Sequence, residues 1–169
     1  MNETNLIRVG RLAVLLAIQV FILNHIHIAG YITPLIIGYM LICFQNDTSR
    51  IGILVWGFLT GLMFDMFSGT AGMASAACTL LAMMQPSLLA AFAPHDAGDH
   101  FVPTTRTLGF GKYFAYAFLC MFVLHVVFYL LDAFTLHDWL LTLASVGGGT
   151  LVATLLCVFT ELLVRKRRL

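Results

Sequence analysis

The chain has 169 residues, of which 60% are hydrophobic and 10% charged, with a mean hydropathy of +0.95. A soluble domain carries about 25% charged residues, so these charges are too few to cover a water-facing surface. A formal net charge of +1 gives no footprint for nucleic acid.

In chain order, the apolar runs predict six transmembrane helices in a single all-α domain over residues 1–169. A crossing needs about 17–25 apolar residues. The spans fall at about 12–28, 30–44, 51–67, 73–92, 113–131 and 139–164. The first is interrupted by Gln19 and ends at Asn24, His25 and His27; it lacks a small-x-small cleavage pattern and reads as retained rather than as a signal peptide. The second is short and carries Pro34, and the fourth contains Pro86.

The nine Lys and Arg residues are Arg8, Arg11, Arg50, Arg106, Lys112, Arg165, Lys166, Arg167 and Arg168. With six crossings all of them lie on one side, as the positive-inside rule requires of a cytoplasmic face. Removing the second crossing would scatter them, so the charges support six. Both termini are then expected in the cytoplasm. The opposite side carries Asp65, Asp132, Asp138, His25, His27 and His137, and its loops are short. The longest loop, about 93–111, is cytoplasmic. Arg165, Lys166, Arg167 and Arg168 read as an anchor for anionic headgroups of the membrane lipid.

Ionisable groups at membrane depth are costly and draw attention by default. Asp65 shares a helix face with Gly57 and Gly61, since residues four apart lie on one side. Gly57 and Gly61 form a GxxxG element that permits close helix approach. Ser68 and Gly72 follow in a turn-forming stretch. Two readings of Asp65 stand side by side: a site for a partner helix, proton or cation, or a cap on the backbone of the next turn or helix. His125, Tyr129 and Asp132 share one face of the fifth span, as a proton relay or as a hydrogen-bonded packing stripe. The outer histidines read as interfacial side chains or zinc ligands. In the sixth span Ser145 and Gly149, with Ala153, make a small-residue seam, internal or for a partner.

Cys43, Cys78, Cys120 and Cys157 lie in apolar runs without CxxC spacing and read as small hydrophobes. No GxSxG, HExxH or P-loop pattern is present. The residues thus point to no catalytic group, no metal and no cofactor.

Three segments carry a family resemblance: 19–27 (QVFILNHIH), 57–68 (GFLTGLMFDMFS) followed by Gly72-Met73, and 106–113 (RTLGFGKY). With the size, six spans and basic C-terminus, the chain resembles the MreD family of bacterial rod-shape proteins, closest to its Bacteroidetes forms. The resemblance implies a non-enzymatic scaffold of the peptidoglycan elongation machinery (the elongasome) that maintains cell shape in the cytoplasmic, or inner, membrane. Its implied partners are MreC, the glycan polymerase RodA and a class B penicillin-binding transpeptidase, with the MreB filament reached through the cytoplasmic loop. The family's fold is similar to that of the substrate-binding subunits of energy-coupling-factor transporters. The alternative function is therefore a small-molecule (vitamin) binding subunit of a transporter.

Overall fold

The computed structural model describes residues 3–23, 33–45, 48–94, 101–132 and 139–166, with side chains described for 9–163 of these. His25, His27, His137, Asp138, Arg167, Arg168 and the side chains of Arg8, Arg165 and Lys166 lie outside the described residues. Within them the chain is all-helical: α1 (Glu3–Phe21), α2 (Tyr39–Ile42), α3 (Arg50–Ser68), α4 (Met73–Phe92), α5 (Phe110–Asp132) and α6 (Trp139–Lys166). The helices α3, α4, α5 and α6 are each long and apolar enough to cross a membrane. The apolar part of α1, Val9–Phe21, is shorter.

Consecutive long helices pack side by side, α3 on α4, α4 on α5 and α5 on α6, while α1 lies against α3 and α2. The outer faces expose large apolar side chains, among them Phe58 and Leu62 on α3, Met83 on α4, and Leu151, Leu155 and Phe159 on α6. A surface of this kind is stable only against a nonaqueous neighbour. The chain buries polar side chains inward instead, including Gln19, Asp65, Gln85, His125 and Glu161.

Where a second span is expected over about 30–44, the described part is not one regular helix. Pro34 has no N–H to donate and disfavours a helical conformation in the residue before it. Leu35 is extended (φ −94°, ψ 95°), a 3-10 turn covers Ile36–Gly38, and α2 adds four residues before the chain leaves at Cys43. This broken segment is buried throughout residues 34–42, with Leu35, Ile37, Leu41 and Ile42 at most 1% exposed. Gly38 makes room for it, because a Cβ there would lie 2.8 Å from Leu124 Cδ2 on α5.

The turn joining α3 to α4 is fixed by two glycines in left-handed conformations, Gly69 (φ 69°) and Gly72 (φ 82°). Gly69 ends α3 by donating its N–H to Asp65 O at 2.9 Å. Residues with a Cβ enter this region at a cost of roughly 1–2 kcal/mol.

Candidate functional site

The residues at 57, 61 and 65 form one continuous seam, and its occupant is α4 of the same chain. A Cβ on Gly57 would lie 2.6 Å from Ala82 Cβ and 2.9 Å from Cys78 O. One on Gly61 would run into Ala74 O and Ser75 Cα. The facing stripe on α4 is itself made of small residues, Ala74, Cys78 and Ala82, each at most 1% exposed. Small side chains on both helices let the backbones meet.

Asp65 completes the seam. Its Oδ1 accepts from Ala74 N at 3.0 Å and Thr70 Oγ1 at 2.5 Å. Its Oδ2 accepts from Ser75 N at 2.8 Å and Ser75 Oγ at 2.5 Å. Ala74 and Ser75 belong to the first turn of α4, whose N–H groups have no partners within the helix. The carboxylate of α3 therefore caps α4, with both oxygens engaged and a negative charge at the positive end of the helix dipole. Ser68 is half-buried at the end of α3, and Gly72 provides the left-handed residue before α4. The left-handed backbone of Gly72 sets the shape of the turn.

A second polar cluster holds the broken segment. Nonhelical backbone surrounded by apolar side chains must find partners for each N–H and C=O, since an unpaired one costs several kcal/mol. Gln19 of α1 donates from Nε2 to Pro34 O at 3.0 Å and accepts at Oε1 from Ile36 N at 2.7 Å. Leu35 N donates to His125 Nε2 at 3.2 Å. Tyr129 OH accepts from Thr33 N at 3.0 Å and donates to Thr33 O at 3.1 Å. Thus Thr33, Pro34, Leu35 and Ile36 are bonded by three side chains from two helices. Because Nε2 of His125 accepts, its Nδ1 carries the proton and donates to Met121 O at 2.8 Å. That bonding gives His125 and Tyr129 of the α5 stripe a structural role. Asp132, its third member, is half-buried.

The other end of the segment is held in the same way. Tyr116 OH of α5 donates to Ile42 O at 3.3 Å, and Gln85 Nε2 of α4 donates to Tyr116 OH at 2.9 Å and Phe44 O at 3.4 Å. Between these, Tyr39 OH donates to Glu161 Oε2 of α6 at 2.9 Å.

On α6, Ser145, Gly149, Ala153 and Cys157 recur every four residues and are all buried. Gly149 faces the His125 ring of α5, so this part of the seam is turned to a neighbour within the chain. Among the described residues, the four cysteines are free thiols and no three His, Cys, Asp or Glu side chains gather as a metal site.

Comparison with protein-family models finds none that matches the chain, and neither a curated protein nor a solved structure matches it. The geometry therefore carries the functional reading. Sequence patterning points to Asp65, His125 and Tyr129, reads Gln19 as an interruption of the first span, and gives no role to Gln85, Tyr39 and Glu161. The signal was present: Gln19, Gln85 and Glu161 are isolated strong polar groups inside apolar runs. Pro34 declared the backbone that some of them would have to serve.

Proposed function

We propose that this chain is a non-enzymatic, multi-pass scaffold of the bacterial inner membrane, of the MreD type, supporting peptidoglycan elongation and cell shape. The observation that carries the reading is the use made of the buried polar groups. Asp65, Gln19, His125, Tyr129, Gln85 and Tyr116 are bonded to the chain's own backbone or to one another. A catalytic group must instead reach a substrate proton or carbonyl with its reactive atom. These side chains build a rigid body, which is what a platform for other membrane proteins requires.

The membrane placement is supported by four helices of sufficient length and by apolar outer faces. Six crossings are completed in this reading by α1 and by the broken segment. Sidedness has geometric support: Arg11 of α1, Arg106 and Glu161 near the end of α6 line one cavity. The cationic ends thus converge, while Asp65, Thr33 and Tyr129 lie toward the other end. Both termini are then cytoplasmic. The partners in this reading are MreC, RodA and its class B transpeptidase, with MreB on the cytoplasmic side.

Affinity purification of the tagged chain in mild detergent tests the proposal. MreC and the synthases should co-purify. Recovery of a pair of ATPase subunits in their place would establish a transporter component and refute the scaffold.

A further inference from the structure

One cavity is not consumed by the fold. A cavity of about 230 Å³ opens at the end of the molecule where α1, α2 and α6 meet the loop before α5. Its wall includes Arg11, Arg106, Glu161, Tyr39, Cys43 and Thr105. Two cations and one anion therefore face a single small space.

The loop wall is preorganised. Thr107 Oγ1 donates to Val102 O at 2.7 Å and accepts from Thr104 N at 2.9 Å, while Thr107 N donates to Thr104 Oγ1 at 3.2 Å. These bonds fix the turn that presents Thr105 and Arg106. Thr105 is 6% exposed, yet its Oγ1 has no hydrogen-bond partner among the described residues. Buried hydroxyls left unpaired are rare in native proteins. On the facing wall Glu161 is 8% exposed, and among the described residues its one hydrogen bond is from Tyr39. A carboxylate has about four acceptor positions, so most of its capacity is unspent.

We infer that this cavity binds a zwitterionic amine–phosphate group, the chemistry shared by a phosphatidylethanolamine headgroup and free phosphoethanolamine. The arginine forks suit phosphate oxygens, Thr105 adds a hydroxyl, and Glu161 takes the ammonium. A simple anion would meet the Glu161 carboxylate, and a simple cation would meet Arg11 and Arg106. Only a ligand with both charges matches both walls. The lipid as source rests on the membrane placement proposed above; the recognition chemistry does not, and neither depends on the scaffold role.

The test is ligand-induced stabilisation of the purified full chain in detergent, since a ligand that binds the folded state raises its unfolding midpoint. The probes are short-chain phosphatidylethanolamine, phosphatidylglycerol and phosphatidylcholine, and free phosphoethanolamine. Phosphatidylethanolamine should stabilise more than phosphatidylglycerol. Glu161→Gln should abolish that preference, and Arg106→Gln should weaken both. Thr105→Val, nearly isosteric, should leave the ligand-free midpoint unchanged or higher while lowering affinity roughly ten- to a hundredfold, as loss of one hydrogen bond to a charged group predicts. A response to lipid alone places the source in the membrane leaflet; a response to free phosphoethanolamine as well shows that the headgroup suffices. Equal stabilisation by phosphatidylethanolamine and phosphatidylglycerol would overturn the inference. So would Thr105→Val and Arg106→Gln chains that bind like the unaltered one.

Discussion

Gly149 lies under the imidazole of His125 so closely that a Cβ at 149 would stand 2.6 Å from Cδ2 and 3.1 Å from Nε2. That Nε2 is the atom that accepts from Leu35 N. The missing side chain on α6 thus protects a hydrogen bond between α5 and the broken segment. Gly147, two residues earlier, has nothing within 4 Å of the same position.

The two glycines should therefore separate sharply. Gly149→Ala should destabilise by roughly 1–3 kcal/mol, the usual range for overpacking, and lower the thermal midpoint in detergent. Gly147→Ala should be neutral or stabilise by about 0.5–1 kcal/mol through the ordinary helix preference for alanine. Equal effects would show that α6 does not seat on His125.

Asp65 uses both oxygens as acceptors, so asparagine is a poor substitute. An amide can keep one oxygen's bonds but turns N–H groups toward donors on the other side. Asp65→Asn should cost about 1.5–3 kcal/mol, the scale of one hydrogen bond to a charged group. Asp65→Ala should cost more and reduce the amount of protein that accumulates. An Asp65→Asn chain with an unchanged midpoint would exclude the two-oxygen cap.

Gln19→Leu preserves approximate size but leaves Pro34 O and Ile36 N unpaired. At roughly 1–3 kcal/mol for each buried group left unsatisfied, it should rank among the most damaging single changes in α1. Val14→Ala, at an exposed position, should be nearly silent. Limited proteolysis and thermal unfolding of the two variants give the comparison.

Membrane sidedness is read by cysteine labelling on a background lacking the four native thiols. In intact cells Thr70→Cys should react with an impermeant reagent, and Thr48→Cys and Thr107→Cys should not. Labelling at position 48 or 107 from outside would refute the proposed orientation.

The four long helices were legible from apolar run length, whereas the first expected span, about 12–28, is offset from α1 (Glu3–Phe21) and the second is not one regular helix. The expected span at 73–92 coincides with α4, and the one at 51–67 differs from α3 by a residue at each end. The GxxxG stripe identified a close contact, although it did not identify α4 as the neighbour; the answering stripe of Ala74, Cys78 and Ala82 is ordinary-looking in sequence. Pro34 announced irregular backbone, but its partners come from Gln19 and Tyr129, at sequence separations of 15 and 96 residues. Periodicity carries no information about pairings of that range. Of the candidate site, the cap by Asp65 was legible as one of two readings, and the cavity beside Glu161 was not legible at all. That cavity is assembled from α1, α2, a loop and α6.

The broken segment also constrains how the protein is made. Residues 33–36 depend on Gln19, which is synthesised before them, and on His125 and Tyr129, which emerge about ninety residues later. Until α5 leaves the ribosome, Thr33 and Leu35 have no such partners, and four residues of α2 are too few to insert as an autonomous crossing. Nascent chains halted after α4 should consequently be substrates for membrane quality-control proteases. Arrival of α5 would be the step that commits the chain to its mature form.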